Sequence, residues 1–330
     1  MSQLASQPRV ADEAVGARRG AAIAGLGLAV PERVVGNAAL ARRLGVDEEW
    51  IERRSGTRVR HMVADGERLS DLAAAAGRAA LAEGGVDAGA LDLVIVATTS
   101  PDEMSPHAAT FVVGALGAGR AGAIDVSAAC VGFLSALALA VSTIEAGRAA
   151  NVLVVGADAL SRFLDADDHQ SAMLFGDGAG AAVVSATSGP SLVGPVLMRS
   201  DPDGGDLISL RREEGLIRMD GPRVYRRAVD VMADVTREAA DAAGVPLDEI
   251  DLFVYHQANS RIVRAVGSRL GLDPGRVVDY IDRYANTSAA SLPIALAAAA
   301  QDGRLWPGAR VLLAAFGAGL VWGGVVVEWR

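Results

Sequence analysis

The sequence predicts an α/β fold assembled from two duplicated halves, and three observations carry that prediction. Apolar runs of strand length alternate with Ala/Leu-rich runs of helical length, the pattern of βαβ units around a sheet covered on both faces. The order then recurs. G-V-D-A-G-A-L-D-L-V-I-V (Gly85–Val96) matches G-V-P-L-D-E-I-D-L-F-V-Y (Gly244–Tyr255), and N-V-L-V-V-G-A (Asn151–Ala157) matches R-V-L-L-A-A-F (Arg310–Phe316), both 159 positions apart (251 − 92 and 311 − 152). Between them A-A-C-V-G-F (Ala128–Phe133) falls opposite A-A-S-L-P-I (Ala289–Ile294) at an offset of 161 (291 − 130). Three segments in one order at nearly constant spacing indicate duplication. The halves divide as residues 20–190 and 191–330, behind a polar tail, residues 1–19, expected to be disordered.

Taken in order, Gly20–Val30 reads as a strand. Arg18 and Arg19 ahead of it superficially resemble a twin-arginine signal, but Gly and Ala interrupt the run and Pro31 closes it, so a first core strand is the better account. Asn37–Leu44 and Asp47–Arg53 read as short helices, the second opened by Asp47. Ser70–Glu83 is helical, and Leu91–Thr98 is a buried strand. His107–Leu116 is helical, Val152–Gly156 is a buried strand, and Gly176–Ser185 turns into another strand. Three uncharged runs (Ala128–Ile144, Tyr284–Ala300, Val311–Val327) approach membrane-span length. Each holds Gly, Pro or polar residues and falls short of the roughly 20 apolar residues a span needs, so they read as core.

Composition narrows the function. A net charge of −9 argues against a general nucleic-acid binder. All 31 basic side chains are arginine, so a phosphate site must use Arg or backbone N–H groups. A single cysteine excludes an internal disulfide, makes a reducing cytoplasm the expectation, and leaves no zinc-type spacing; no metal is expected.

That cysteine, Cys130, stands in D-V-S-A-A-C-V-G-F, where a strand gives way to a helix that runs without proline to Gly147. Free N–H groups of a first helical turn favour a thiolate, the nucleophilic form. Gly132 and the small residues Ser127, Ala128 and Ala129 leave room for a substrate. The bland alternative is a buried structural cysteine. Two further stretches favour chemistry. Y-H-Q-A-N-S-R-I puts His256 directly after an apolar strand, and Y-A-N-T-S-A-A-S-L-P-I puts Asn286 before the helix that is the counterpart of the Cys130 helix. By the repeat all three fall beyond strand C-termini, where ligands collect in such sheets. Alone, His256 is as readily a satisfied core histidine and Asn286 an ordinary helix cap; His61, His107 and His169 suggest no role.

From Gly20 to Arg330 the chain resembles the β-ketoacyl-acyl carrier protein synthase III family of the thiolase-like superfamily, through D-V-S-A-A-C-V-G-F, G-D-G-A-G-A, H-Q-A-N-S-R-I, N-T-S-A-A-S and F-G-A-G-L-V-W-G. The resemblance implies a five-layered αβαβα fold, a homodimer, and a decarboxylating condensation of an acyl starter with malonyl-acyl carrier protein, with no cofactor beyond the thioester substrates. It implies acylation of Cys130, an oxyanion hole from the N–H groups of Cys130 and Ala318, and stabilisation of the malonyl enolate by His256 and Asn286. It assigns Trp50 and Arg54 to the adenine end of coenzyme A, Arg226, Arg261 and Arg269 to carrier-protein docking, Asn259 to ordering the loop, and Leu160, Phe175 and Phe316 to the acyl pocket.

There are three departures from the family pattern. His169 stands where primary-metabolism members carry a coenzyme-A-binding arginine; Ser105 stands where many have a phenylalanine that crosses the dimer interface; Ala285 and Ala318 replace glycines. The first argues against a preference for acyl-coenzyme A, the second for room for a longer, branched or aromatic acyl group, and together the three point to a specialised natural-product pathway. The rival readings are an acyltransferase on the same scaffold that moves the acyl group to a hydroxyl or amine without decarboxylation, and a non-catalytic partner subunit, which would have lost its nucleophile. A degradative thiolase needs a second cysteine. A hydroxymethylglutaryl-CoA synthase needs a glutamate near Ser100, which Glu103 fits poorly.

Overall fold

The computed structural model describes residues 19–330; the expected disordered tail therefore lies, save for Arg19, outside the described residues. The first half contains β1 (Gly20–Ala29), β2 (Val34–Gly36), α1 (Asn37–Leu44), α2 (Glu48–Ser55), β3 (Val59–His61), α3 (Leu69–Gly84), β4 (Leu93–Ala97), α4 (Ala108–Leu116), β5 (Gly122–Val126), α5 (Gly132–Glu145), β6 (Asn151–Ala159) and β7 (Asp177–Thr187). The second contains β8 (Leu197–Ser200), β9 (Ile208–Leu210), β10 (Ile217–Met219), α6 (Gly221–Ala243), β11 (Leu252–Tyr255), α7 (Ser260–Leu270), α8 (Ile281–Tyr284), α9 (Ser291–Gln301), β12 (Arg310–Gly317) and β13 (Val321–Glu328).

Two mixed sheets follow, ordered β1-β7-β6-β4-β5 and β8-β13-β12-β11. Strand alternation sorts their side chains. On β4 and β11, Val94, Val96, Phe253 and Tyr255 face outward, under α3 and α4 on one side and α6 and α7 on the other. Ile95, Ala97, Leu252 and Val254 face inward, onto α5 and α9 between the sheets. The result is the five-layered αβαβα arrangement. The two central helices are mostly Ala, Leu, Ile and Val because a helix between two sheets has little solvated face.

The strand pairs β4/β11 and β6/β12 start 159 residues apart, as expected (252 − 93, 310 − 151). The 161-residue offset at the cysteine is corrected. The helices α5 and α9 also start 159 apart (291 − 132), as do the 3-10 turns Ala129–Val131 and Ser288–Ala290 (288 − 129). The structural counterpart of Cys130 is thus Ala289, and that of Ser127 is Asn286. Matching paired alanines had inserted a two-residue gap that the backbone does not contain. The counterpart of β5 is reduced to one parallel bridge, Phe253 to Val277.

Glycines let the layers meet. A Cβ on Gly156 would lie 2.2 Å from the Ala289 carbonyl oxygen, and one on Gly180 would lie 2.6 Å from the Ile294 nitrogen. In this way β6 and β7 of the first sheet seat the start of α9 from the second half.

Candidate active site

A cavity of about 1100 Å³ opens between the halves. Cys130 reaches it from the 3-10 turn that ends β5 and begins α5. His256 reaches it from the end of β11, its N–H held by the Ala314 carbonyl at 2.8 Å. Asn286 reaches it from the segment before α9. One wall is therefore supplied by each half, as the end-of-strand argument requires.

Asn286 is fixed at three points. Its N–H donates to the Leu174 carbonyl at 2.9 Å, and its carbonyl accepts from Gly176 N–H at 3.0 Å. Its side-chain Oδ1 accepts from the Ser288 N–H at 2.9 Å. With Oδ1 committed, the amide orientation is set, and Nδ2 is left as the donor. Beneath this segment lies Arg60, fully buried, donating to the Met173 carbonyl at 3.3 Å and to Asn37 Oδ1 at 2.8 Å; burial lowers it to about 10.

His256 is buried, and desolvation lowers it to about 3, so the imidazole is neutral at physiological pH. Its Nδ1 is enclosed without a hydrogen-bond partner among the described residues. The single ring proton of a neutral imidazole is thus not committed to a protein acceptor at Nδ1.

The thiol corrects an expectation. Burial pushes Cys130 up to about 12, with the Asp158 carboxylate adding to the rise; the Ser288 hydroxyl, 3.6 Å from Sγ, and the residue's own N–H oppose it. Desolvation thus favours the neutral thiol, against the thiolate expected from sequence. Asp158 is fully buried in β6 and accepts from Thr98, Thr99 and Ser100 and from the Ala289 N–H at 3.1 Å, joining the two halves directly behind the cysteine. Gly317 also approaches: a Cβ there would lie 2.9 Å from Cys130 N. Ala318 follows it into the cavity wall, and neither its N–H nor that of Cys130 is engaged by a backbone carbonyl among the described residues.

The other sequence candidates separate. Leu160, Phe175 and Phe316 are buried and line the cavity. Trp50, Arg54, His169, Arg226 and Arg261 stand at its edge. The Arg54 guanidinium lies 5.0 Å over the Trp50 ring, His169 meets that ring edge-on at 6.2 Å, and Arg261 lies over Tyr225 at 5.2 Å. Asn259 caps α7 and donates to the Arg54 carbonyl at 2.9 Å, tying two sides of the mouth. Arg269 is away from the cavity and is paired with Asp230. Ser105 is exposed and does not line the cavity of this chain. Both had been placed by resemblance alone, with no local pattern tying them to the site.

Sequence reading missed Ser288, Asp158, Arg60 and the β9–β10 hairpin, whose Ile208, Leu210, Ile217 and Met219 line the cavity. Strands of three residues carry too little periodicity to register. A buried-type context was the available signal for Asp158, in the otherwise apolar run Val152–Leu160.

The chain is similar to known proteins over most of its length. Residues 124–202 match the family model for 3-oxoacyl-(acyl-carrier-protein) synthase III, and residues 240–329 match the model for its C-terminal part. The β-ketoacyl-(acyl-carrier-protein) synthase III of Rhodospirillum rubrum is 44% identical, covering 93% of this chain and 98% of that one. Synthase III 2 of Streptomyces coelicolor is 45% identical, covering 95% of each. Among solved structures, the Aquifex aeolicus synthase III superposes with a TM-score of 0.90 at 38% identity over 94% of this chain and all of the other. The priming β-ketosynthase of the R1128 polyketide pathway superposes with a TM-score of 0.91 at 34% identity over 97% of this chain and 99% of the other. The fold and paired half-sites define a thiolase-like condensing scaffold. The chain belongs to the β-ketoacyl-acyl carrier protein synthase III family.

Proposed function

We propose that the protein condenses an acyl starter with malonyl-acyl carrier protein, losing carbon dioxide and starting a fatty acid or polyketide chain. The observation that supports this most is the convergence of Cys130, His256 and Asn286 on one cavity from opposite halves. Cys130 Sγ attacks the starter thioester, the carbonyl carbon–sulfur bond of the donor breaks, and the thiol proton ends on the departing pantetheine sulfur. The N–H groups of Cys130 and Ala318, engaged by no backbone carbonyl among the described residues, suit the oxyanion formed on the way. The malonyl thioester then enters, with its carbonyl oxygen accepting from His256 and from Asn286 Nδ2. As the carboxylate leaves as carbon dioxide, its bonding electron pair becomes enolate charge on that oxygen, and fixed donors stabilise it more than the neutral ground state. The enolate carbon attacks the acyl carbon, the carbon–sulfur bond to Cys130 breaks, and the departing thiolate takes a proton from water.

These steps require no metal or redox group, because loss of carbon dioxide drives them. Trp50, Arg54, Arg226 and Arg261 at the mouth suit a phosphopantetheine arm and its acidic carrier. A reducing, cytoplasmic setting suits a nucleophile that must stay a thiol. The edge strand β5, with Ile124 39% exposed, suits pairing with a second copy. Presenting acyl-coenzyme A and acyl-carrier thioesters in parallel, followed by malonyl-carrier protein, tests the reading. Product two carbons longer with release of carbon dioxide supports it; transfer of the acyl group to a hydroxyl or amine without that release would replace it.

A further inference from the structure

Ser288 is 2% exposed, lines the cavity, and sets its hydroxyl 3.6 Å from Cys130 Sγ, the hydroxyl's one polar contact among the described residues. It does so from a backbone conformation that side chains rarely adopt, φ 51°. Its counterpart across the internal repeat, Ala129 (288 − 129 = 159), has φ 46°. The same left-handed turn therefore occurs on both sides of the pseudo-twofold. In the first half it presents Cys130 to the cavity; in the second it presents a hydroxyl to that sulfur. Alanine suffices for the turn, as Ala129 demonstrates, so the backbone does not account for the hydroxyl. Conformations of this kind persist where the surroundings over-determine them, typically at functional sites.

We propose that Ser288 is a catalytic residue of the acyl-transfer half-reaction, its hydroxyl donating to Cys130 Sγ as the thiol gives up its proton. This rests on the condensing function proposed above. The hydroxyl itself neither gains nor loses a proton: it accepts from the resting thiol and donates once the sulfur is anionic, both at the start of acylation and when the sulfur departs after condensation. The N–H of the same residue holds Asn286 Oδ1, so one residue contacts the nucleophile through its side chain and the enolate donor through its backbone. Replacing the side chain separates the two tasks.

The test uses the full chain with Ser288→Ala and Ser288→Gly, the first matching the repeat and the second suiting the positive φ. Alkylation of Cys130 by iodoacetamide across pH reads the sulfur without any substrate. Acylation by acyl thioesters reads the half-reaction, and decarboxylation of malonyl-carrier protein in a Cys130→Ala background reads the Asn286 side. A hydrogen bond to a charged group carries roughly ten- to a hundredfold. Both variants are expected to move the alkylation profile to higher pH and to lower acylation at least tenfold more than decarboxylation. An unmoved alkylation profile, or equal falls in acylation and decarboxylation, overturns the proposal, since a merely structural serine would act through Asn286. If wild-type protein accepts no acyl group, the condensing function fails instead, and the alkylation profile still decides whether Ser288 bonds the sulfur.

Discussion

At the scale of single residues, the site combines groups made unreactive toward water with groups made rigid. Desolvation favours the neutral forms of both His256 and Cys130. Asn286 is held on both backbone sides and at Oδ1. The loop bearing it begins at Ala285, with φ 57° and ψ −160°, a region glycine occupies at less cost. Ala285→Gly is expected to stabilise the fold by about 1 kcal/mol, read as a higher midpoint in chemical denaturation. That Cys130, His256 and Asn286 share one cavity was legible in the sequence because each stands at a strand or helix boundary that the repeat brings together. The protonation state of the thiol was not legible, because desolvation depends on what the other half places over it. Ser288 was hidden among small polar residues whose backbone conformation no pattern reveals.

At the scale of elements, strands and helices were readable because sheets covered on both faces leave continuous apolar runs, and capping glycines close the helices. Helices α1, α2, α3 and α4 end at Gly45, Gly56, Gly85 and Gly117, all with positive φ. The register between halves was less legible: alanine-rich stretches match each other at several offsets, and only the backbone distinguishes 159 from 161. The close seating of α9 on β6 and β7 gives a sharp expectation. Gly156→Ala places a methyl 2.2 Å from the Ala289 carbonyl oxygen, which cannot swing aside as a side chain would. Overpacking of this kind costs about 1–3 kcal/mol or more. The shift also reaches the Asp158 to Ala289 bond, so condensing activity should fall further than stability alone explains, read as a loss of kcat in protein that remains folded by circular dichroism.

At the scale of the whole molecule, among the described residues no helix is long and apolar enough to cross a membrane. The duplicated halves, legible as a repeat, exist to bring two loops together across a pseudo-twofold. Their junction is also where the molecule is sensitive to acid. The unfolded His256 takes up a proton near pH 6.5, whereas the folded one resists until about 3. The suppressed protonation therefore carries no penalty above pH 6.5 and destabilises increasingly as pH falls toward 3, by an amount on the order of a few kcal/mol. His256→Gln should flatten the decline in urea midpoint between pH 6.5 and 4, at the expense of activity. The exposed edge of β5 yields a second expectation: Ile124→Arg should convert a dimer to monomer in sedimentation equilibrium, whereas a wild-type monomer would contradict pairing along that edge. The central claim, that Cys130 carries the acyl group between two thioesters, is tested most directly by mass spectrometry of the intact protein and its Cys130 peptide after exposure to acyl thioesters. The account expects an acyl increment on that peptide, discharged by malonyl-carrier protein into a 3-oxoacyl product; an unmodified Cys130, or a Cys130→Ala variant that condenses at the wild-type rate, would contradict it.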